Sequence, residues 1–212
     1  MAEYSGRIVS VTDVGESTVA LEFEIDEGLE ALPGQFILLR AEIGGSEETG
    51  YYTISSPTVD TTFEVTVGVD PQSTLSPWLA QRSAGDEIQI EGPYGNIAYD
   101  DDGDVVTIAG GPGIGPAVAI AERATNSNFN AAVIYQDDSP AHQERLSTLS
   151  DCGQDIQILQ PNDKENFRDA ISECASDGTV YIFGFSEFCS RASDIVESSG
   201  VNSDNFYVES FG

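Results

Sequence analysis

A cluster of glycines at positions 110–115 is the stretch of this sequence best suited to bind a charged ligand. It follows the β-branched run 105–109 and precedes a small-residue segment, 117–124, a pattern that predicts a strand, a tight turn and a helix. Glycines let a backbone approach a ligand closely, and the start of a helix offers unpaired N–H groups to a phosphate. The spacing Gly111-x-Gly113-x-Gly115 is not the usual dinucleotide fingerprint, so a packed turn without a ligand is the alternative.

The charge balance of the chain also bears on function. Its 212 residues include 37 Asp and Glu but only 8 Lys and Arg, a formal net charge of −29. We interpret this composition as adaptation to a salt-rich cytoplasm, because salt screens the repulsion among scattered carboxylates. Nucleic acid and anionic membranes are poor partners for such a field. We expect a cytoplasmic protein without membrane insertion, since the sequence has no signal peptide and no apolar run of ~18 residues.

The same excess of acidic residues predicts that folding and activity require high ionic strength. Unscreened repulsion opposes a compact state, so we expect the melting temperature to rise as KCl increases from dilute to molar. Thermal unfolding followed by circular dichroism in a KCl series measures this dependence. A flat or falling curve would mean that the acidic surface serves another purpose.

The cysteines and the single histidine do not form a pattern that is typical of a metal site. Cys152, Cys174 and Cys189 are odd in number and more than a dozen residues apart, unlike a CxxC or iron–sulfur arrangement. We expect them to be small buried thiols in a reducing compartment. His142 follows Pro140 near a predicted helix start, and we expect it to be exposed. The sequence therefore predicts no metal centre.

The pattern of the chain changes at the acidic loop 100–104. Residues 1–99 consist of short alternating runs between turn signals, which predicts an all-β barrel or sandwich. Residues 104–212 alternate five apolar runs with four helical segments, which predicts a parallel sheet covered on both faces. The glycine turn lies at the carboxyl end of the first of these strands, where ligands bind to such sheets. We therefore predict two domains with a shared cleft.

Six short motifs, in this order along the chain, resemble those of the ferredoxin–NADP reductase superfamily of flavoproteins. The resemblance implies a Greek-key antiparallel β-barrel that binds FAD, followed by an α/β domain with a five-stranded parallel sheet that binds a nicotinamide coenzyme. The motifs are Pro33-Gly34-Gln35-Phe36, Tyr52-Thr53-Ile54-Ser55-Ser56, Ser76-Pro77-Trp78-Leu79, Gly92-Pro93-Tyr94-Gly95, Gly110-Gly111-Pro112-Gly113-Ile114-Gly115-Pro116 and Tyr207-Val208-Glu209-Ser210-Phe211-Gly212.

The resemblance also implies roles for individual residues. Tyr52 would pack on the flavin, and the Thr53 hydroxyl would approach the ring nitrogen N5, where it can stabilise charge during hydride transfer. Glu209 would lie beside the nicotinamide, and Phe211 would cover the flavin face. The residues implied to bind FAD are Tyr52, Thr53, Ile54, Ser55, Val67, Gly68, Ser76 and Gly92. Those implied to bind the coenzyme are Gly110, Gly111, Pro112, Gly113, Ile114, Gly115, Pro116, Asp137, Gly184 and Phe185.

Three positions depart from the family pattern. Gly50 stands where the family has an arginine that pairs with the FAD pyrophosphate, Thr74 replaces a common glycine, and Phe183 replaces a frequent cysteine. Arg40 and Arg82 are the candidates to replace the missing arginine.

The turn after the second strand of the α/β domain predicts NADH rather than NADPH as the coenzyme. It contains Gln136-Asp137-Asp138-Ser139 and, by the resemblance, reaches the adenosine ribose. A 2′-phosphate needs charge-assisted donors, whereas an Asp can accept a hydrogen bond from a free 2′-hydroxyl. The alternative is that Asp137 and Asp138 cap the helix near Pro140 and face solvent.

Together these features predict an oxidoreductase that passes hydride from NADH through FAD to a separate electron acceptor. The acceptor would be a ferredoxin-type protein or a small molecule, because the sequence contains no ligand set for iron–sulfur or haem. Two alternatives remain open. The chain could be an electron-transfer subunit of a larger redox complex, or a module that binds only a nucleotide or a partner after losing its flavin.

Overall fold

Six antiparallel strands form the first sheet of the computed structural model, which describes residues 2–202 and 205–211. Their order in the sheet is β4-β3-β6-β1-β2-β5, and an isolated bridge between Ile54 and Val65 links the two edges, so the sheet curls into a barrel. The elements are β1 (Ala2–Gly15), β2 (Thr18–Glu24), β3 (Phe36–Ile43), β4 (Ser46–Thr53), β5 (Thr62–Gly68), α1 (Leu75–Ala80) and β6 (Glu87–Tyr94).

The alternation in the first sequence segment explains the barrel core. Leu21 and Phe23 of β2 face inward and are fully buried, and they pair in register with Val65 and Phe63 of β5. The Phe23 and Phe63 rings stack with their centroids 5.5 Å apart. Cross-strand aromatic and β-branched pairs of this kind are the unit of sheet stabilisation. The barrel is therefore closed around an apolar interior, and its strand ends face the second domain.

Five parallel strands form the second sheet, in the order β11-β10-β7-β8-β9. Helices α2 and α3 cover the face toward the barrel, and α4 and α5 cover the opposite face. A 3₁₀ turn, Gly111–Gly113, joins β7 directly to α2. The elements are β7 (Val105–Gly110), α2 (Ile114–Asn126), β8 (Ala131–Gln136), α3 (Gln143–Asp151), β9 (Asp155–Leu159), α4 (Lys164–Cys174), β10 (Thr179–Gly184), α5 (Ser186–Ser198) and β11 (Phe206–Ser210).

The structure confirms the predicted fold of an antiparallel barrel followed by a five-stranded parallel sheet. One helix boundary differs: α3 begins at Gln143 and not near Pro140. The delay has a local cause, because His142 adopts a left-handed backbone conformation with φ of 54° and its amide donates to the carbonyl of Val14 in the barrel. In the described part of the chain the longest helices have 13 residues, and none could cross a bilayer.

Two expectations about single residues are wrong. His142 is buried, with only 4% of its surface exposed, because it packs between the two domains and shares a 2.8 Å hydrogen bond with the hydroxyl of Thr66. Burial, assisted by the nearby charge of Arg145, lowers the pKa of His142 to about 3. Cys174 and Cys189 are buried as expected, but Cys152 is exposed because it follows the last turn of α3.

The two domains meet at a close backbone contact reinforced by ion pairs. A Cβ atom at Gly115, in the first turn of α2, would lie 2.3 Å from the Thr66 hydroxyl of β5, so only glycine fits there. Nearby, Arg145 of α3 binds Glu64 of β5 at 3.0 Å and Glu122 of α2 at 2.7 Å. The seam therefore holds the helix N-terminus of the second domain against one strand of the first.

Candidate functional site

A cleft of about 470 Å³ opens where the end of the barrel meets the last strand of the parallel sheet. The barrel contributes Phe36, Tyr51, Thr53 and Tyr94, and the C-terminal strand contributes Glu209, Ser210 and Phe211. A smaller cavity of about 160 Å³ continues from it toward the glycine turn. That cavity is lined by Tyr51, Tyr52, Thr53, Thr66, Gly68, Pro112, Pro116, Phe185 and Phe211. Residues from both domains thus line one continuous space.

Three aromatic rings form the barrel wall of the cleft. The ring of Phe36 lies 5.4 Å from that of Tyr51, edge to face, and 5.7 Å from that of Tyr94, stacked. Tyr51 is 67% exposed, which is unusual for a large aromatic side chain, and the Tyr94 hydroxyl donates to Glu91. Strand alternation places Tyr51 and Thr53 on one side of β4. This wall is suited to a planar heteroaromatic ring. The alternation of residues in β4 is the sequence signal that places Tyr51 in the wall.

Tyr52 packs mainly against the barrel core, on the other side of β4 from Tyr51. A Cβ atom at Gly50 would lie 2.9 Å from the Tyr52 ring and 3.0 Å from the side chain of Leu75. The phenol therefore fills the space above Gly50, and burial raises the pKa of Tyr52 to about 12. Tyr52 also lines the smaller cavity.

Thr53 is the polar group from the barrel that is best placed in the cleft. It ends β4, is only 7% exposed, and borders both the cleft and the smaller cavity. Gly68, at the end of β5, faces Pro112 across the smaller cavity, while the neighbouring Val67 side chain lies in the barrel core. Thr53 therefore offers a hydroxyl at the point where the two domains meet.

Other residues predicted to bind FAD have their polar groups engaged within the protein. The Ile54 amide donates to the Gln35 carbonyl at 2.9 Å, and the Ser55 hydroxyl donates to Glu64 at 2.8 Å. The buried Ser76 hydroxyl accepts from the Asp70 amide at 3.1 Å. Gly92 is buried in β6 against Ile37. The cleft and the smaller cavity are not lined by any of these four residues, Ile54, Ser55, Ser76 and Gly92.

The glycine turn presents the N-terminus of α2 at the carboxyl edge of the parallel sheet. Gly111 has a φ of 57°, which favours glycine, and the 3₁₀ turn leads into α2 at the buried Ile114. Pro112 and Pro116 line the smaller cavity, whereas Gly113 packs against the Phe183 carbonyl. Gly110 and Gly184 lie side by side beneath one aromatic ring, that of Phe188. Backbone N–H groups at such a helix start favour an anionic group.

The C-terminal strand brings two predicted catalytic residues into the cleft. The Phe211 amide donates to the Gly184 carbonyl at 2.9 Å, which continues the pairing of β11 with β10. The Phe211 ring lies 6.2 Å from that of Phe185, edge to face, and Phe185 is 56% exposed. Glu209 lines the cleft, and burial raises the pKa of its carboxyl. Phe211 and Glu209 thus face the barrel wall that holds Thr53.

Asp137 is engaged in its own turn. Its carboxylate accepts from the Tyr135 hydroxyl at 3.0 Å and from the Ser139 amide at 2.8 Å. It does not cap α3, which begins six residues later in the sequence, at Gln143. Both oxygens already accept a hydrogen bond, although each can accept another.

Arg191 is a cation beside the glycine turn that no sequence motif identifies. A guanidinium N–H of Arg191 donates to Gln136 at the end of β8, 55 residues away in the chain. The group lies 5.4 Å from the ring of Phe167 and 5.6 Å from that of Phe188. Among residues 2–202 and 205–211, its Nε is the one buried side-chain nitrogen or oxygen without a hydrogen-bond partner. The carboxyl edge of the sheet therefore carries a positive charge near the helix start.

Comparison with known proteins assigns the barrel. Residues 5–99 match the oxidoreductase FAD-binding domain family. The ferredoxin reductase component of a 3-ketosteroid-9-alpha-monooxygenase from Mycolicibacterium smegmatis is 26% identical over 227 residues, covering 97% of this chain and 64% of that protein. Residues 5–99 therefore belong to the oxidoreductase FAD-binding domain family, and nearly the whole chain is similar to a ferredoxin reductase component.

Two further comparisons extend over the second domain of this chain. A dihydroorotate dehydrogenase B (NAD⁺) electron transfer subunit from Pyrococcus abyssi is 31% identical over 163 residues, 77% of this chain and 55% of that protein. The FAD/NAD binding domain of a nitric oxide dioxygenase from Vibrio cholerae has the same fold, with a TM-score of 0.85 at 20% identity, covering 99% of this chain and 98% of that one. The chain spans less than two thirds of the length of either curated relative.

The residues of the cleft fit the ring of a flavin, and those of the glycine turn fit a nicotinamide coenzyme. The stacked rings of Phe36 and Tyr94 and the perpendicular ring of Tyr51 provide an aromatic wall, and Thr53 provides a hydroxyl at its edge. The start of α2 provides N–H donors for a phosphate, and the guanidinium of Arg191 at Gln136 adds a positive charge at the same edge of the sheet. Residues 5–99 form an FAD-binding domain, and the domain that follows has the fold of the FAD/NAD binding domain from V. cholerae.

Proposed function

We propose that this protein is an oxidoreductase that transfers hydride from NADH to FAD and passes the electrons to a separate acceptor. The observation that carries this proposal is that Thr53 of the barrel and Phe211 of the parallel sheet border the same cleft. A flavin and a nicotinamide held by the two domains would therefore meet between these side chains. When bound, the flavin accepts a hydride and releases electrons singly or in pairs.

The roles of the chain's own residues follow from their positions. The Thr53 hydroxyl can donate a hydrogen bond to a ring nitrogen and so stabilise charge that builds there. The Phe211 ring excludes water from the cleft and must move aside when nicotinamide enters. Glu209 lies on the same wall and can accept a hydrogen bond from a carboxamide. The start of α2 and Arg191 bind the coenzyme's phosphates.

The names of the relatives support a separate acceptor. The M. smegmatis protein is the ferredoxin reductase component of a monooxygenase, so its electrons go to another component. A ferredoxin-type acceptor would associate with this chain only when salt screens its charge of −29. The P. abyssi relative is named an electron transfer subunit, which favours membership of a larger redox complex as the second candidate. Turnover with NADH and a dye acceptor, in the absence of any partner, would favour the first.

Thr53→Val tests the role of the hydroxyl. In molar KCl we expect the rate of flavin reduction by NADH to fall about tenfold, because a donor to the developing charge is lost. The affinity for FAD should fall less, since the methyl groups keep the packing. Stopped-flow absorbance gives the rate and fluorescence titration gives the affinity. Thr49→Val is the matched control, because Thr49 lies on the same strand and is exposed outside the cleft. Equal reduction rates in Thr53→Val and the unchanged protein would remove Thr53 from the mechanism.

The proposed preference for NADH over NADPH rests on the carboxylates of the turn after β8 and on the NAD⁺ in the name of the P. abyssi relative. In molar KCl we expect kcat/KM for NADH to exceed that for NADPH by about tenfold or more, equivalent to 1.4 kcal/mol. Asp137→Ala should reduce this ratio, with Asp138→Ala as the control at an exposed neighbour. An unchanged ratio in Asp137→Ala would give the preference another origin. A higher value for NADPH would contradict the proposal and point to Arg191 as a donor to the 2′-phosphate.

A further inference from the structure

The flavin cleft has an aromatic wall but no cation that is free to bind a phosphate. Among residues 2–99 the basic side chains are Arg7, Arg40 and Arg82, and none of them lines the cleft or the smaller cavity. Each of the three has a carboxylate within 4 Å. Arg40 binds Glu47 at 2.7 Å and Glu91 at 3.3 Å.

The other two arginines of the barrel are engaged in the same way. Arg82 lies 4.1 Å above the ring of Trp78 and 3.5 Å from Asp86. Arg7 lies 3.6 Å from Glu24 and 3.8 Å from Asp26. Arg40 and Arg82, the candidates to replace the arginine missing at Gly50, thus each face a carboxylate and lie outside the cleft.

Position 50 itself cannot regain a side chain without rearrangement. A Cβ at Gly50 would lie 2.9 Å from the Tyr52 ring and 3.0 Å from the Leu75 side chain, so one of these side chains would have to shift. The segment around the start of α1 offers no substitute. The hydroxyl of Ser76, in the first turn of α1, is buried and accepts from the Asp70 amide, and Asp70 in the preceding loop adds a carboxylate there. Helix α1 has only six residues.

The arginines of the second domain that lie near the seam are also paired. Arg123 binds Asp101 at 2.7 Å, and Arg145 binds Glu64 and Glu122. Arg191 lies at Gln136, beside the glycine turn. A phosphate on a flavin in the cleft would thus meet no free guanidinium, in the field of a chain with 37 acidic residues.

We propose that this cleft recognises the isoalloxazine ring and is indifferent to the phosphate tail, so that riboflavin, FMN and FAD bind with similar affinity. Recognition comes from the rings of Phe36, Tyr51 and Tyr94 and from the Thr53 hydroxyl. The flavin is then exchangeable and not locked in place by its pyrophosphate. This inference rests on the proposed function, since it assumes that the cleft holds a flavin.

Fluorescence titration of the full chain with riboflavin, FMN and FAD tests the inference. The protein is first freed of bound flavin by dialysis. Each titration is run at 1 and 3 M KCl, which separates salt screening of the phosphate's charge from a site that does not recognise the phosphate. We expect the three dissociation constants to agree within about threefold at both salt concentrations, since each tenfold difference needs 1.4 kcal/mol of interaction. Tighter binding of FMN than of riboflavin by about tenfold would overturn the proposal, and so would the same preference for FAD over FMN.

Tyr51→Leu provides a second measurement. Loss of one ring of the wall should weaken all three flavins by the same factor, about three- to tenfold for an aromatic contact. Tyr207→Leu is the matched control, because Tyr207 is an exposed tyrosine of β11 that packs on Tyr181 outside the cleft. A loss confined to FAD would overturn the inference while leaving the proposed function standing. No binding of any flavin by a folded protein, as judged by circular dichroism, would instead remove the proposed function.

Discussion

Arg145→Met is expected to lower the free energy of unfolding by about 3 kcal/mol, because it leaves two half-buried carboxylates without their cation. Arg145 donates to Glu122 at 2.7 Å, to Glu64 at 3.0 Å and to the Ser55 carbonyl at 2.9 Å. Burial raises the pKa of Glu64, and the charge of Arg145 opposes that rise. Without Arg145 the two glutamates repel each other across the domain seam.

Urea unfolding in molar KCl, followed by circular dichroism, measures this loss. Arg168→Met is the matched control, because Arg168 is exposed on α4, and its replacement should change stability by less than about 0.5 kcal/mol. Adding Glu64→Gln and Glu122→Gln to Arg145→Met should restore part of the stability, since the uncompensated charges are removed. Equal losses in Arg145→Met and Arg168→Met would show that the seam does not depend on the ion pairs.

Acidification from pH 6.5 to pH 4.5 is expected to cost the protein about 2–3 kcal/mol through His142 alone, at 1.36 kcal/mol per pH unit. The folded pKa of His142 is about 3, below the value of 6.5 for an unperturbed histidine. Below pH 6.5 the unfolded chain therefore binds a proton that the folded chain excludes. Stability is fully present above pH 6.5 and is lost progressively as the pH falls toward 3.

His142→Asn isolates this contribution. Asparagine tolerates the left-handed φ of 54° at position 142 and does not titrate. Its shorter side chain loses the hydrogen bond that His142 Nε2 shares with Thr66, so the change of stability with pH is compared and not the stability at one pH. Urea unfolding at pH 7.0, 6.0, 5.0 and 4.5 in molar KCl gives the stability of each protein. Carboxylates such as Glu64 and Asp101 titrate in both proteins, so they cancel in the difference. If the two curves stay parallel, His142 is not the source of acid sensitivity.

The architecture could be predicted because its signals are local and repeated. Alternation in the strands, the acidic loop 100–104 and the change to alternating strands and helices locate both sheets without any knowledge of contacts. The ordered motifs added the placement of Thr53 and Phe211, which the structure brings to one cleft. Elements and their order follow from periodicity, which the sequence displays directly.

The features that escaped prediction depend on contacts between distant parts of the chain. Arg191 and Gln136 are 55 residues apart, and Thr66 and His142 are 76 residues apart. The sequence around His142 carries no signal of burial, because the residue is buried only by its contact with the barrel. The use of Ile54, Ser55 and Asp137 in internal hydrogen bonds is likewise invisible to motif matching. Motifs identify which residues are near a site, whereas partners decide which of their atoms are available.

The contact between Gly115 and Thr66 sets the width of the cleft between the two domains. Thr53 and Phe211 belong to different domains, so the gap between them is only as constant as the joint between those domains. At that joint the backbone of Gly115 contacts the Thr66 hydroxyl directly. Because glycine has no side chain, no change of rotamer at position 115 can alter the contact. Surface residues can be substituted to suit the salt concentration, whereas the distance between Thr53 and Phe211 stays fixed by this contact. The absence of a Cβ atom at position 115 therefore fixes the distance between the two domains at the cleft.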